Sequence, residues 1–169
     1  DAMVEQGSVG AGTGATVGKV LGMESAMKGG IGTASITLPD GIVVGAIVAV
    51  NAFGDIIELD SRNIIAGARN PQTGNFLDTC KYLMSTNKYG TSFSGNTTIG
   101  VVATNAKLTK EQANKLASTS HDGLALTIRP VHTMVDGDTM FALSTGEVKG
   151  DMISIGCAAV EVTARAIIN

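Results

Sequence analysis

Gly95-Asn96-Thr97-Thr98-Ile99-Gly100-Val101-Val102-Ala103-Thr104-Asn105 is the stretch on which the reading of this chain turns. A small, flexible Gly-Asn pair stops at two threonines, and an apolar, β-branched run follows at once. Such residues fit a pleated, half-buried surface, which predicts a strand over Thr98–Thr104. The junction also carries a chemical possibility. A cut between Asn96 and Thr97 would leave Thr97 with a hydroxyl nucleophile and a free α-amine on the same residue. That amine has a reference pKa of about 7.7–8.0, so a useful fraction is neutral near pH 7 and can take the hydroxyl proton. A threonine inside a chain has no such base. On residue types alone, an ordinary loop-to-strand junction accounts for the same stretch.

Working outward, the polar run Ser85 to Gly95 reads as an exposed loop, the setting a cleavage site needs. Phe76 to Met84 reads as a short helix, and the polar stretch Asp60 to Asn75 separates it from a short strand at Ile56–Leu59. Farther upstream, Thr33–Leu38 and the continuously apolar Ile42–Val50 flank Pro39-Asp40-Gly41, a strong turn signal. The three together predict a hairpin, with Asn51 ending its second strand. Downstream, Thr109-Lys110-Glu111-Gln112 fits a capping box, with Thr109 as N-cap and Gln112 at N3. The helix it opens ends near Arg129-Pro130. Asp136-Gly137-Asp138 reads as a turn before a strand at Thr139–Leu143, and Asp151–Ile168 as a final, Ala-rich helix. Hairpins mixed with helices favour a layered α+β fold over a doubly wound parallel sheet.

At 169 residues the chain fits a single domain with a real core. Hydrophobic residues make up 44%, but only 4% are aromatic and none is Trp, so Val, Ile, Leu, Ala and Met must build that core. With 22 Gly against 3 Pro, tight turns and close backbone approaches are expected rather than Pro-rich linkers. The net charge of -3, without a basic stripe, argues against a nucleic-acid partner. The longest apolar run, Ile42–Val50, is too short to span a bilayer, so no membrane partner is expected. Cys80 and Cys157 form no C-x-x-C motif, which predicts reduced thiols and a cytoplasmic setting. The opening Asp1-Ala2-Met3 has no initiator methionine in first place, and the chain reads as a piece of a longer protein.

Four other motifs, taken alone, lead nowhere. Gly10-Ala11-Gly12-Thr13-Gly14-Ala15 contains a relaxed dinucleotide fingerprint, but no apolar strand precedes it. The run closing on Gly18-Lys19 lacks the hydroxyl residue a phosphate loop needs after its lysine, where Val20 stands. His121 and His132 have no further ligands at zinc spacing, so no metal is expected, and His121 reads as a helix-face residue. Asp136-Gly137-Asp138 has no calcium-loop series behind it and, taken alone, reads as a hairpin turn.

Taken in order, several motifs resemble one family. They are Gly10–Lys19 (Gly-Ala-Gly-Thr-Gly-Ala-Thr-Val-Gly-Lys), Val43–Asn51, Gly95–Ile99, Val102–Ala106, Arg129–Thr133 and Asp136–Ala142. Together they are similar to the L-aminopeptidase/D-esterase (DmpA) family, which includes β-peptidyl aminopeptidases and nylon-oligomer hydrolases. The resemblance covers essentially the whole chain. It implies an α+β fold, the αββα sandwich shared with ornithine acetyltransferase, of which this chain supplies the C-terminal half to two-thirds. It also implies a precursor that cuts itself at Asn96–Thr97 into segments 1–96 and 97–169, the end of the α-subunit and the β-subunit.

The family's nucleophile then falls on Thr97. Its oxyanion-stabilising asparagine falls on Asn51, and its lysine, which favours the neutral Thr97 amine, on Lys19. Asp136 and Asp138 would hydrogen-bond the Thr97 amine and hydroxyl. The implied activity is hydrolysis of small peptides or amides through an N-terminal threonine acyl-enzyme, without a cofactor. The implied partners are the N-terminal half of the same protein and further copies in a homo-oligomer. Acyl transfer of the ornithine acetyltransferase type and a non-catalytic scaffold subunit stand as alternatives.

Overall fold

The hairpin anticipated around Pro39-Asp40-Gly41 is the seed of the main sheet. The computed structural model describes residues 4–88 and 95–169. The chain begins with two short strands, β1 (Thr16–Val17) and β2 (Met27–Lys28), which pair with each other. β3 (Gly30–Thr37) and β4 (Val43–Asn51) then run antiparallel in unbroken register from Gly30 opposite Val50 to Thr37 opposite Val43. Asp40, at φ 60°, turns the corner between them in the left-handed conformation that Asp tolerates. β5 (Asp55–Ile57) follows as expected, and β6 (Ile64–Ala66) pairs with it inside the stretch that reads from sequence as merely polar. Three residues of apolar character are too few to show a period, so that strand leaves no pattern.

Helix α1 (Thr79–Thr86) starts three residues later than Phe76 because Asp78 caps it, its side chain accepting from the Lys81 N–H at 3.1 Å. Of the run Ser85–Gly95, residues 89–94 lie outside the described residues. β7 (Thr97–Ala106) pairs antiparallel with β4. The capping box then opens α2 (Lys110–Thr127), with Thr109 and Gln112 bonding reciprocally. β8 (Ile128–Arg129) adds to β5. β9 (Thr139–Val148) runs parallel to β7, and α3 (Met152–Ile168), capped by Asp151, closes the chain.

The parallel pairing corrects the hairpin reading of Asp136-Gly137-Asp138. Parallel neighbours need a crossover rather than a tight turn, and α2 supplies it. The main sheet is therefore ordered β3-β4-β7-β9. α3 lies over β3 and β4, and α2 over β9. Val44, Val48, Val50, Val102, Ala106 and Met140 face the helices and are buried with Leu116, Leu124, Ile155, Ala159 and Val162. The opposite face of the sheet carries Val43, Ile99, Phe141 and Leu143, each about half exposed.

This core has a direct consequence for the Asn96–Thr97 bond. It joins β4, upstream of the bond, to β7, β9, α2 and α3 downstream. Each fully buried aliphatic side chain contributes about 1.5–3 kcal/mol. Two pieces parted at that bond would thus stay associated. Among the described residues, no helix is long and apolar enough to cross a membrane, and both cysteines are free.

Candidate active site

Sheet register sets the geometry of the site. The last residue of β4, Asn51, lies directly opposite the first residue of β7, Thr97. The parallel β7–β9 register extends one bridge further back and places Asn96 beside Asp136. Residues 46 and 40 positions apart thereby meet at one end of the sheet.

Lys19 arrives from the Gly-rich segment. Its N–H and that of Gly18 donate to the carbonyls of Phe53 and Gly54, at 2.9 and 2.8 Å. Gly18 is obligatory there: its φ is +70°, and a Cβ would lie 2.0 Å from the Ala68 nitrogen. The Lys19 side chain is almost fully buried. Its Nζ donates to Asn51 Oδ1 at 2.6 Å and to the Asn51 carbonyl at 3.3 Å. Burial lowers the ammonium pKa to about 8, with the Asp136 charge opposing the shift.

Lys19 also orients Asn51. The Thr16 N–H and Lys19 Nζ both donate to Oδ1. That oxygen must therefore be the acceptor, and the NH₂ is turned outward, toward Thr97's end of the sheet. There Nδ2 donates to the Gly95 carbonyl at 2.6 Å. In the uncut chain the Asn51 amide thus holds the residue before Asn96, not the Asn96 carbonyl.

The Asn96 carbonyl has other donors. Thr97 Oγ1 donates to it at 2.6 Å, and the Gly137 N–H donates to it at 2.8 Å. The Asn96 side chain is anchored as well, Nδ2 donating to the Val135 carbonyl at 3.1 Å. Asn96 is only 2% exposed. This differs from the exposed junction expected for a cleavage site. Access by a protease requires exposure, whereas attack by the neighbouring hydroxyl requires a carbonyl held still.

The two aspartates flank this carbonyl. Asp136 Oδ1 accepts from the Phe53 N–H at 3.1 Å, and Oδ2 from the N–H and hydroxyl of Thr133 at 3.2 and 2.5 Å. Asp138 Oδ1 accepts from the Thr98 N–H at 2.8 Å, and Oδ2 from His132. The described hydrogen bonds of both carboxylates therefore go to Thr97's surroundings, while the Thr97 hydroxyl goes to the Asn96 carbonyl. All six residues singled out from sequence, Lys19, Asn51, Asn96, Thr97, Asp136 and Asp138, lie in one connected network. Sequence reasoning missed Gly137, which contributes a backbone N–H and so has no side-chain signature, and His132. The only available signal for Gly137 was its place between the two acids. Among the described residues no cluster of three or more His, Cys, Asp or Glu is placed to hold a metal ion.

Comparison with known proteins gives the family of the chain. The model of peptidase family S58 matches residues 1–169, and the chain belongs to that family. An uncharacterized aminopeptidase of Mycobacterium leprae is 38% identical over 191 residues, covering 99% of this chain and 49% of its own length. A solved β-aminopeptidase from a Burkholderia species superposes with a TM-score of 0.64 at 27% identity, over 98% of this chain and 46% of its own. The solved L-aminopeptidase D-Ala-esterase/amidase of Ochrobactrum anthropi, a variant of the Ntn hydrolase fold, gives a TM-score of 0.63 over 98% of this chain and 44% of its own. At 21% identity that last likeness speaks for the fold alone. The chain spans about half the length of these relatives.

Proposed function

We propose that this member of peptidase family S58 is the part of a self-processing hydrolase that carries the nucleophile, and that the complete protein cleaves small peptides or amides bearing a free amine. The observation that carries the reading is the Asn96 carbonyl, which holds the Thr97 hydroxyl at 2.6 Å and the Gly137 N–H at 2.8 Å. A carbonyl with a nucleophile on one side and a fixed donor on its oxygen is prepared for addition.

In self-cleavage, Thr97 Oγ1 adds to the Asn96 carbonyl carbon through a five-membered ring. The Gly137 N–H stabilises the oxyanion, whose charge is larger than that of the ground-state carbonyl. The carbon–nitrogen bond then breaks, and the hydroxyl proton ends on the Thr97 nitrogen. The Thr97 amine is then free, and water hydrolyses the resulting ester to the Asn96 carboxylate and the Thr97 hydroxyl. Segments 1–96 and 97–169 remain joined through the common core.

In turnover, the free amine takes the Oγ1 proton as the hydroxyl adds to a substrate carbonyl. The cut releases the Asn51 amide from Gly95, and it becomes the donor to the substrate oxyanion. Lys19 keeps that amide turned outward, and its positive charge disfavours protonation of the nearby Thr97 amine. The acyl group passes to Oγ1, the substrate's amine leaves with the proton, and water clears the ester. No step calls for a cofactor. The additional length of the relatives fits a second half that covers the open face of Val43, Ile99, Phe141 and Leu143.

The test is the intact mass of the complete gene product beside its Thr97→Ala variant. The wild type is expected to split between Asn96 and Thr97, and the variant to stay whole. A wild type that never splits, or a variant that splits equally, overturns the reading.

A further inference from the structure

His132 lies in the loop between β8 and β9, outside the set of residues used above, and its conformation is costly. Its φ is +53°, in the left-handed region that a non-glycine residue adopts at a penalty. Its described hydrogen bonds both go to Asp138. Asp138 Oδ2 accepts the His132 backbone N–H at 3.3 Å and meets the ring Nδ1 at 2.8 Å. The Asp138 side chain is only 3% exposed, and its other oxygen takes the Thr98 N–H, the amide next to Thr97. An ionised carboxylate only accepts, so Nδ1 carries the proton and donates it. The left-handed turn is what lets backbone and ring of one residue converge on one oxygen.

We propose that His132 is a positioning residue of this site: it clamps Asp138 by two donors and so fixes the carboxylate against the Thr97–Thr98 peptide. The inference rests on the self-cleavage reading and adds to it the device that aims the second acid. With Oδ2 held by His132 and Oδ1 on Thr98, Asp138 has no rotational freedom left. The Thr98 amide is in turn pinned, and with it the direction in which Thr97 leaves the cleavage point. Facing the ring are Asp138 from its own loop and His121, with Asp122 beside it, from α2. The His121 ring stands 4.9 Å away, centroid to centroid. Burial and the charge of His132 both lower the His121 pKa.

Two substitutions separate the clamp from mere packing. Asn accepts left-handed backbone well, and its side-chain amide reaches the place of Nδ1 without titrating. His132→Asn therefore keeps the donor, and His132→Ala removes it. The complete gene product, made by in vitro translation, is followed by mass for Asn96–Thr97 cleavage from pH 5 to 9, beside wild type and Thr97→Ala. His132→Ala is expected to slow cleavage about tenfold or more at every pH, since a misplaced group costs up to about 10² in rate. His132→Asn is expected to cleave at close to the wild-type rate at pH 8, because its side-chain amide keeps the donor to Asp138.

An Ala variant as fast as wild type, or an Asn variant as slow as the Ala variant, overturns the proposal. If wild type fails to cleave or Thr97→Ala cleaves, the underlying reading has failed instead.

Discussion

Gly137→Ala puts the geometry of the uncut carbonyl to a quantitative test. A Cβ built on Gly137 would lie 2.9 Å from Thr97 Oγ1 and 3.7 Å from the Asn96 oxygen. Ordinary contact between such atoms begins near about 3.4–3.5 Å, so the hydroxyl must retreat by about 0.5 Å. It ends a short side chain, and a small turn about χ1 moves it before the backbone gives way. Gly137 does not have a positive φ, so alanine meets no conformational penalty. The loss of freedom in the unfolded chain should even add about 0.4–1 kcal/mol of stability. The Gly137 N–H and its bond to the Asn96 carbonyl survive the change. Displacement of a reacting atom by 1 Å can cost about 10²-fold, so half that distance is worth about tenfold. Tenfold corresponds to ~1.4 kcal/mol of barrier. The expected result is a split between two measurements: self-cleavage slowed about tenfold in a translation time course read by mass, with thermal stability equal or slightly raised. Cleavage at the wild-type rate would show that the hydroxyl's seat on the Asn96 carbonyl does not set the reaction, and the reasoning would fall.

Two further predictions concern buried charges. Lys19 has its folded-state pKa lowered to about 8 from 10.5. The unfolded chain thus binds more protons between those values, and Lys19 makes stability rise as pH climbs from about 8 toward 10.5. Urea midpoints at both ends of that window should show a smaller pH-linked gain in Lys19→Met than in wild type; equal gains would refute the assignment. Asp55 is buried, and burial raises its carboxyl pKa despite the donors from Thr79 and Ala68. Oδ1 accepts from the Ala68 N–H and the Thr79 hydroxyl, and Oδ2 from the Thr79 N–H. Asp55→Asn sets an amide donor against one of these donors and should cost about 1–3 kcal/mol in chemical denaturation, an outcome that an unchanged midpoint would contradict.

The elements with a local cause were legible in the chain. β-branched runs marked β3, β4 and β7, and a Pro-Asp-Gly corner marked their turn. Thr109 and Gln112 marked the start of α2 by a cap whose partners are three residues apart. β6 leaves no mark because three residues carry no period, and Asp136-Gly137-Asp138 reads as a hairpin turn because a turn does not disclose what its outgoing strand pairs with.

The same division runs through the site. Motif order along the chain picked out Lys19, Asn51, Thr97, Asp136 and Asp138 as residue types fit for nucleophile, oxyanion donor and acids. It could not say that Asn51 holds Gly95 before the cut, that Gly137 supplies the donor on the Asn96 oxygen, or that His132 grips Asp138. Local sequence biases φ, ψ and side-chain period over a few residues. Which atoms meet across 40 or more residues is decided by strand register, the parallel placement of β9 beside β7, and burial. The chain by itself determined the chemistry available; the tertiary structure decided which groups share one carbonyl, because backbone donors and long-range register leave no trace in residue type.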